Sequence, residues 1–193
     1  MSKDLPTNPV AARSRLALLD AATGLLDARP AAEISIKDVV SAAGMSRPTF
    51  YQHFTDVGDA FAAAGMSRFE SAVAGMPDAG HSDGVPGTVP ALFGALLSRL
   101  SEHSLFYARV GESPGGAPFH AEAVRATSEW LHREPQLTGT VTEDGATREF
   151  LAAGVVWTVM RYLTESCRDT SVPSPEGTLA RLLLSFEPVQ SSE

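Results

Sequence analysis

One cysteine, Cys167, stands in 193 residues. A disulfide framework within the chain is therefore impossible, and so is a cysteine-built zinc site. The five histidines are scattered without metal-ligand spacing, so neither a metal nor another cofactor is expected. No apolar run approaches the roughly 18 residues needed to cross a bilayer. No basic-then-apolar segment of signal-peptide form opens the chain either. The expectation is a cytoplasmic protein with no membrane association. Alternating strand patterns and internal repeats are absent as well. Basic residues are outnumbered, 15 Lys and Arg against 23 Asp and Glu, for a net charge of −8. That balance excludes a nonspecific nucleic-acid coat protein, which would be basic. The acidity is uneven. Residues 1–55 carry six basic side chains (Lys3, Arg13, Arg15, Arg29, Lys37, Arg47) against five acidic ones, so the excess negative charge lies beyond them.

Apolar residues make up 44% of the chain, enough for a substantial core, and alanine is abundant while apolar runs hold few β-branched residues. This composition favours helices. Pro9 suits the first turn of a helix. From there Leu16, Leu19, Ala22 and Leu26 recur at helical spacing, widened by Leu18 and Leu25, until Pro30 ends the run. Ser35 then reads as an N-cap. Asp38 completes a capping box, and Ile34 and Val39 form a hydrophobic staple. Gly44 suits a left-handed turn after a helix reaching about Ala43. Ser46 caps the next helix, with Arg47 and Pro48 in its first turn. Met45 and Phe50 are a second staple, and Phe50 and Phe54 share one face. Arg47, Thr49, Tyr51, Gln52 and His53 occupy much of the rest. Two short capped helices of about eight residues around a glycine turn make a helix-turn-helix.

The remainder also reads as helical. A long helix runs through Phe61, Met66, Phe69 and Val73, before a Gly/Pro/Asp-rich loop at 75–88. Helices follow at 89–100 and 102–110, then a flexible loop at 111–118. An amphipathic helix covers 120–134, a polar linker 135–144 and a long apolar helix 147–167. Ser174 caps a last helix with Pro175 at N1. The expected fold is all-α with roughly nine helices. An N-terminal three-helix domain carrying the helix-turn-helix, residues 1–55, precedes a helical body, residues 56–193.

The stretch 36–61, IKDVVSAAGMSRPTFYQHFTDVGDAF, resembles the DNA-binding head of the TetR family of bacterial regulators. Ser35, Val39, Val40, Ala43, Gly44, Met45, Ser46, Thr49, Tyr51, His53 and Phe54 match the family pattern. Arg15 and the run 18–22 match its first helix. The family has a lysine shortly after the recognition helix where this chain has Val57, and a small residue where it has Pro48. A Gly-aromatic pair before the second helix is replaced by Pro30-Ala31. The resemblance implies a homodimer that regulates transcription on double-stranded operator DNA, most simply as a repressor of a palindromic site. An activator, or a dimer that has lost specific DNA binding, are the alternatives. By the same resemblance, Ser35 binds phosphate, and Ser46, Arg47, Pro48, Thr49 and Gln52 begin or line the recognition helix in the major groove. Tyr51 and His53 touch phosphate or nearby base edges, and Arg15 lies near the DNA or braces the head. It also implies a small-molecule effector in the body, so that residues 1–55 form a DNA-binding domain and residues 56–193 an effector-binding and dimerisation domain.

Candidate effector-lining residues are Phe93, Leu96, Phe106, Tyr107, Phe119, Trp130 and Trp157, with His103, Tyr107 and Arg109 as polar contacts in a mainly apolar site. The two most apolar helices offer a dimer interface through Val155, Val159 and Leu163, and through Leu179, Leu182 and Phe186. Glu102 and His103 have no nucleophile arrangement or metal spacing behind them, and an enzyme is not expected.

Overall fold

A computed structural model describes residues 9–74, 89–133, 144–169 and 171–184. Among these residues the fold is all-α. The helices are α1 (Pro9–Ala28), α2 (Ile36–Ala42), α3 (Arg47–Tyr51), α4 (Val57–Ala74), α5 (Val89–Ser101), α6 (Ser104–Glu112), α7 (Gly116–Arg133), α8 (Gly145–Ser166) and α9 (Glu176–Leu184). A 3-10 turn at Ala31–Glu33 links α1 to α2. No described helix is long and apolar enough to cross a membrane.

The chain divides into two compact units. The first comprises residues 1–68 and 106–119, and the second residues 69–105 and 120–193. The first unit thus reaches well past the expected head of 1–55 and takes in most of α6 and the turn after it. In its core, Leu18, Ala22 and Leu26 of α1 are fully buried with Val39 of α2 and Phe50 of α3. The α1 stripe is rotated from the expected one: Leu16 is 56% exposed, and Leu18 takes the central position. The physical reason is crowding of leucines on this helix. With apolar residues at 16, 18, 19, 25 and 26, more than one stripe fits a 3.6-residue period.

The expected loop at 111–118 is a tight turn instead. α6 ends at Glu112 and α7 starts at Gly116. Ser113 accepts from Gly115 N at 3.0 Å and donates to the Val110 carbonyl at 2.7 Å. Two glycines permit the packing. A Cβ on Gly115 would collide with the Gly58 carbonyl oxygen of α4, and one on Gly116 with that of Gly111. Glycine here marks close backbone approach rather than looseness.

In the second unit α5 packs on α8 and α9. Asp144 caps α8, accepting from Ala146 N at 3.3 Å and Thr147 N at 3.0 Å, so the helix begins two residues before the expected Thr147. α9 begins at Glu176, and the Ser174 hydroxyl bonds the Glu176 carboxylate at 3.2 Å instead of a backbone N–H.

Candidate nucleic-acid interface

The candidate interface is built on two capped helix starts joined by a turn. At the start of α2, Ser35 N donates to Asp38 Oδ2 at 2.9 Å and Asp38 N donates back to Ser35 Oγ at 3.4 Å, which closes the capping box. The Ser35 hydroxyl donates to Asp38 Oδ2 at 2.6 Å; this bond first, then that from Ser35 N and the Arg29 guanidinium 3.2 Å away, hold the Asp38 carboxyl down at about 2. The chain then turns at Gly44, whose φ of 64° is the one positive value among the described residues. Met45 N bonds the Val40 carbonyl at 2.8 Å across the turn.

α3 starts from Ser46, whose Oγ accepts from Thr49 N at 3.3 Å and lies 2.9 Å from the Thr49 hydroxyl. At five residues α3 is shorter than the eight expected, yet hydrogen bonds from His53 N and Phe54 N to the Phe50 carbonyl carry the turning backbone onward. Phe50 and Phe54, 5.5 Å apart and buried, anchor the inner side. Ser46, Arg47, Pro48, Tyr51 and Gln52 are exposed together on the outer side. Thr49 is half-buried.

His53 and Arg15 are half-buried at the margin of this face. The Arg15 guanidinium lies over the Phe54 ring, 5.3 Å from its centre. His53 Nε2 lies 3.0 Å from the hydroxyl of Ser14, a buried residue of α1 that sequence reasoning did not single out. Partial burial and then the Arg15 charge push the His53 imidazole below its usual pKa. Where the related pattern has a lysine, Val57 opens α4. Asp56 Oδ1 accepts from Asp59 N there, and Asp59 Oδ2 from Thr55 N, both at 2.9 Å.

The end of α1 is held from two sides. Arg68 of α4 makes a two-pronged pair with Asp27 at 2.7 and 2.8 Å and lies 4.1 Å from the centre of the Phe106 ring. Arg109 of α6 donates to the carbonyls of Leu26 and Asp27 at 2.7 and 2.8 Å, a cation on the last turn of a helix. Arg109 was expected to reach a ligand; its guanidinium is instead occupied by these carbonyls.

The second unit contains a cavity of about 450 Å³. Three of the candidate effector residues, Phe93, Leu96 and Trp130, line it, joined by Phe69, Val73 and Met160. The other candidates do not meet there. Trp157 is 58% exposed and His103 lies on the surface. Phe106, Tyr107 and Phe119 belong to the core of the first unit, where burial pushes the Tyr107 ionisation above the usual range and its hydroxyl has no partner among the described residues. The proposed dimer residues also need correcting. Val155, Val159 and Leu163 are buried within the chain, and the first two line the cavity. The exposed stripe of α8 is Phe150, Gly154, Trp157 and Arg161. Leu179 is buried, while the Leu182 side chain and Phe186 lie outside the described residues.

Residues 18–57 match the family described as "Bacterial regulatory proteins, tetR family". Over 39 residues the chain is 54% identical to the HTH-type transcriptional regulator EthR of Mycobacterium tuberculosis, a match that spans 20% of this chain and only 18% of that protein. Whole-chain similarity lies in the fold. A Syntrophomonas wolfei protein described as a "Putative TetR-family transcriptional regulator" superposes with a TM-score of 0.60 at 14% identity, covering 91% of this chain and 93% of that one. One from Streptomyces coelicolor gives 0.57 at 19% identity, with 92% and 90% covered. The family consists of transcriptional regulators, which are not enzymes.

Proposed function

We propose that this chain, whose head is that of the TetR family and whose fold is shared with TetR-family regulators, is a DNA-binding transcriptional regulator. It represses from a palindromic operator as a cytoplasmic homodimer, and a small, largely apolar ligand releases it. The observation that carries this reading is the outer side of α3, where Arg47, Pro48, Tyr51 and Gln52 stand exposed on a helix anchored from behind by Phe50 and Phe54. A short helix presented in this way enters the major groove, with Arg47 able to reach a guanine edge and the α2 N-terminus at Ser35 able to meet a phosphate.

Two features of the body support the rest. An exposed Phe150 (71%) and Trp157 (58%) flank Gly154, beside which a Cβ would meet nothing within 4 Å. Large apolar side chains around a small residue on one helix face suit close approach by the same face of a second copy about a two-fold axis. The 450 Å³ cavity is of the size that takes a small ligand, and its walls are mostly apolar. Ligand and DNA are coupled if the ligand binds one head spacing better than the other. Selection of bound sites from random duplex DNA tests the reading. A palindrome with half-sites roughly 34–36 Å apart, or a little more, is expected. Transcription from a promoter overlapping that site should fall when the protein is added. Recovery of no enriched sequence would refute specific DNA binding, and increased transcription would replace repression by activation.

A further inference from the structure

Ser14 and His53 form a polar contact between α1 and the end of the recognition helix. Ser14 Oγ lies 3.0 Å from the Val10 carbonyl oxygen, 3.1 Å from that of Ala11 and 3.0 Å from His53 Nε2. The hydroxyl has one hydrogen and three neighbours. Two of these are carbonyl oxygens, which only accept. If the hydrogen turned to Nε2, both oxygen–oxygen contacts would be left without one. If it is directed to the carbonyls, Nε2–H donates to Oγ and all three contacts are satisfied. Neutral His53 therefore carries its hydrogen on Nε2 and presents a bare Nδ1, which makes no hydrogen bond among the described residues.

A bare Nδ1 is an acceptor, and so is a phosphate oxygen. The ring can donate to a phosphate only after Nδ1 gains a proton. We propose that operator binding draws a proton onto His53, and that Ser14 is the positioning residue responsible, because it occupies Nε2 and leaves Nδ1 as the only ring nitrogen for a phosphate. This rests on the reading of the head as a DNA-binding surface.

The electrostatic surroundings agree. On α1, Arg15 is the charge that bears on His53, and it opposes protonation in the free protein. On the following turn, Asp56 and Asp59 are occupied by the backbone N–H groups of Asp59 and Thr55. No carboxylate pairs with the ring among the described residues, so a phosphate would supply the negative charge that favours the imidazolium. The pKa of His53 is then lower in the free protein than in the complex, and one proton is taken up on binding between those two values. Affinity should rise as pH falls through that window.

The test is fluorescence anisotropy with a duplex selected from random DNA, from pH 8 to pH 6 at fixed ionic strength, for the parent, His53→Gln and Ser14→Ala. The parent should gain affinity on acidification, with a steepest slope approaching tenfold per pH unit. His53→Gln retains an Nε2–H for Ser14 but cannot titrate, and its profile should be flat by comparison. Ser14→Ala frees Nε2, so the neutral ring can move its hydrogen to Nδ1 and the slope should shrink. Nitrogen NMR of the unmodified free protein needs no variant to fold, and should find Nε2 protonated and Nδ1 bare at neutral pH. An Nδ1–H tautomer, or parallel profiles for the parent and His53→Gln, would overturn the proposal while leaving DNA binding intact. Failure to bind any selected duplex would remove the DNA-binding reading and this inference together.

Discussion

Arg47 and Ser35 are expected to meet DNA in different ways, and substitution should separate them. Arg47 is exposed and has no ion-pair partner among the described residues. Arg47→Ala should weaken operator binding by about 1–3 kcal/mol, roughly 5- to 150-fold, and relax base preference at one position of each half-site. Ser35→Ala should weaken all duplexes about equally, because phosphate contacts set position rather than sequence. It also removes a helix cap, so its thermal midpoint should fall, whereas that of Arg47→Ala should not. Gel shifts on matched and mismatched duplexes, paired with thermal melts, read both. Asp38 offers a pH test. Its folded pKa of about 2 lies below the ordinary 3.8, so its contribution to stability is complete above pH 4 and is lost as pH falls toward 2. Asp38→Asn should flatten the acid limb of the stability profile between those values.

At the scale of elements, the two turns built on glycine make contrasting predictions. A Cβ on Gly44 would meet nothing within 4 Å, so Gly44→Ala costs only the left-handed backbone, about 1–2 kcal/mol by denaturant melt. Gly115→Ala drives a methyl into the backbone of α4 and should cost more, with α6 displaced. Equal losses for the two would contradict the close packing of this turn. These elements also mark what the sequence makes legible. The caps at Ser35 and Ser46 and the turn at Gly44 depend on residues within four positions, and local spacing was sufficient to place them. The Ser14–His53 contact spans 39 positions and the Arg109 cap on α1 more than 80, and neither has a local signal. On α8, apolar residues run around most of the helix. Periodicity alone could not separate the buried stripe of Val155, Val159 and Leu163 from the exposed one of Phe150 and Trp157. Gly115 and Gly116 looked like loop residues because close backbone approach and flexibility call for the same amino acid.

For the whole molecule, the two stripes of α8 give variants with opposite expected behaviour. Leu163 is fully buried, and Leu163→Ala should cost about 2–5 kcal/mol of protomer stability. Trp157→Glu places a charge on the exposed stripe and should leave the protomer folded but monomeric, with poor operator binding, because a single recognition helix buries too little surface. Sedimentation velocity with circular dichroism distinguishes the outcomes; a folded Trp157→Glu protein that remains dimeric would locate the interface elsewhere.

The grip of Arg109 and Arg68 on the end of α1 has a consequence for modularity. Exchanging heads between regulators to rewire their operators would conventionally cut the chain just after the recognition helix. In this protein such a cut severs one compact unit, because residues 106–119 pack with residues 1–68. A graft joined near residue 55 would set foreign α1 carbonyls against the Arg109 of the host and leave Arg68 without its Asp27. The transplantable cassette is therefore discontinuous: residues 1–68 must travel together with 106–119 if the grafted head is to keep its native footing.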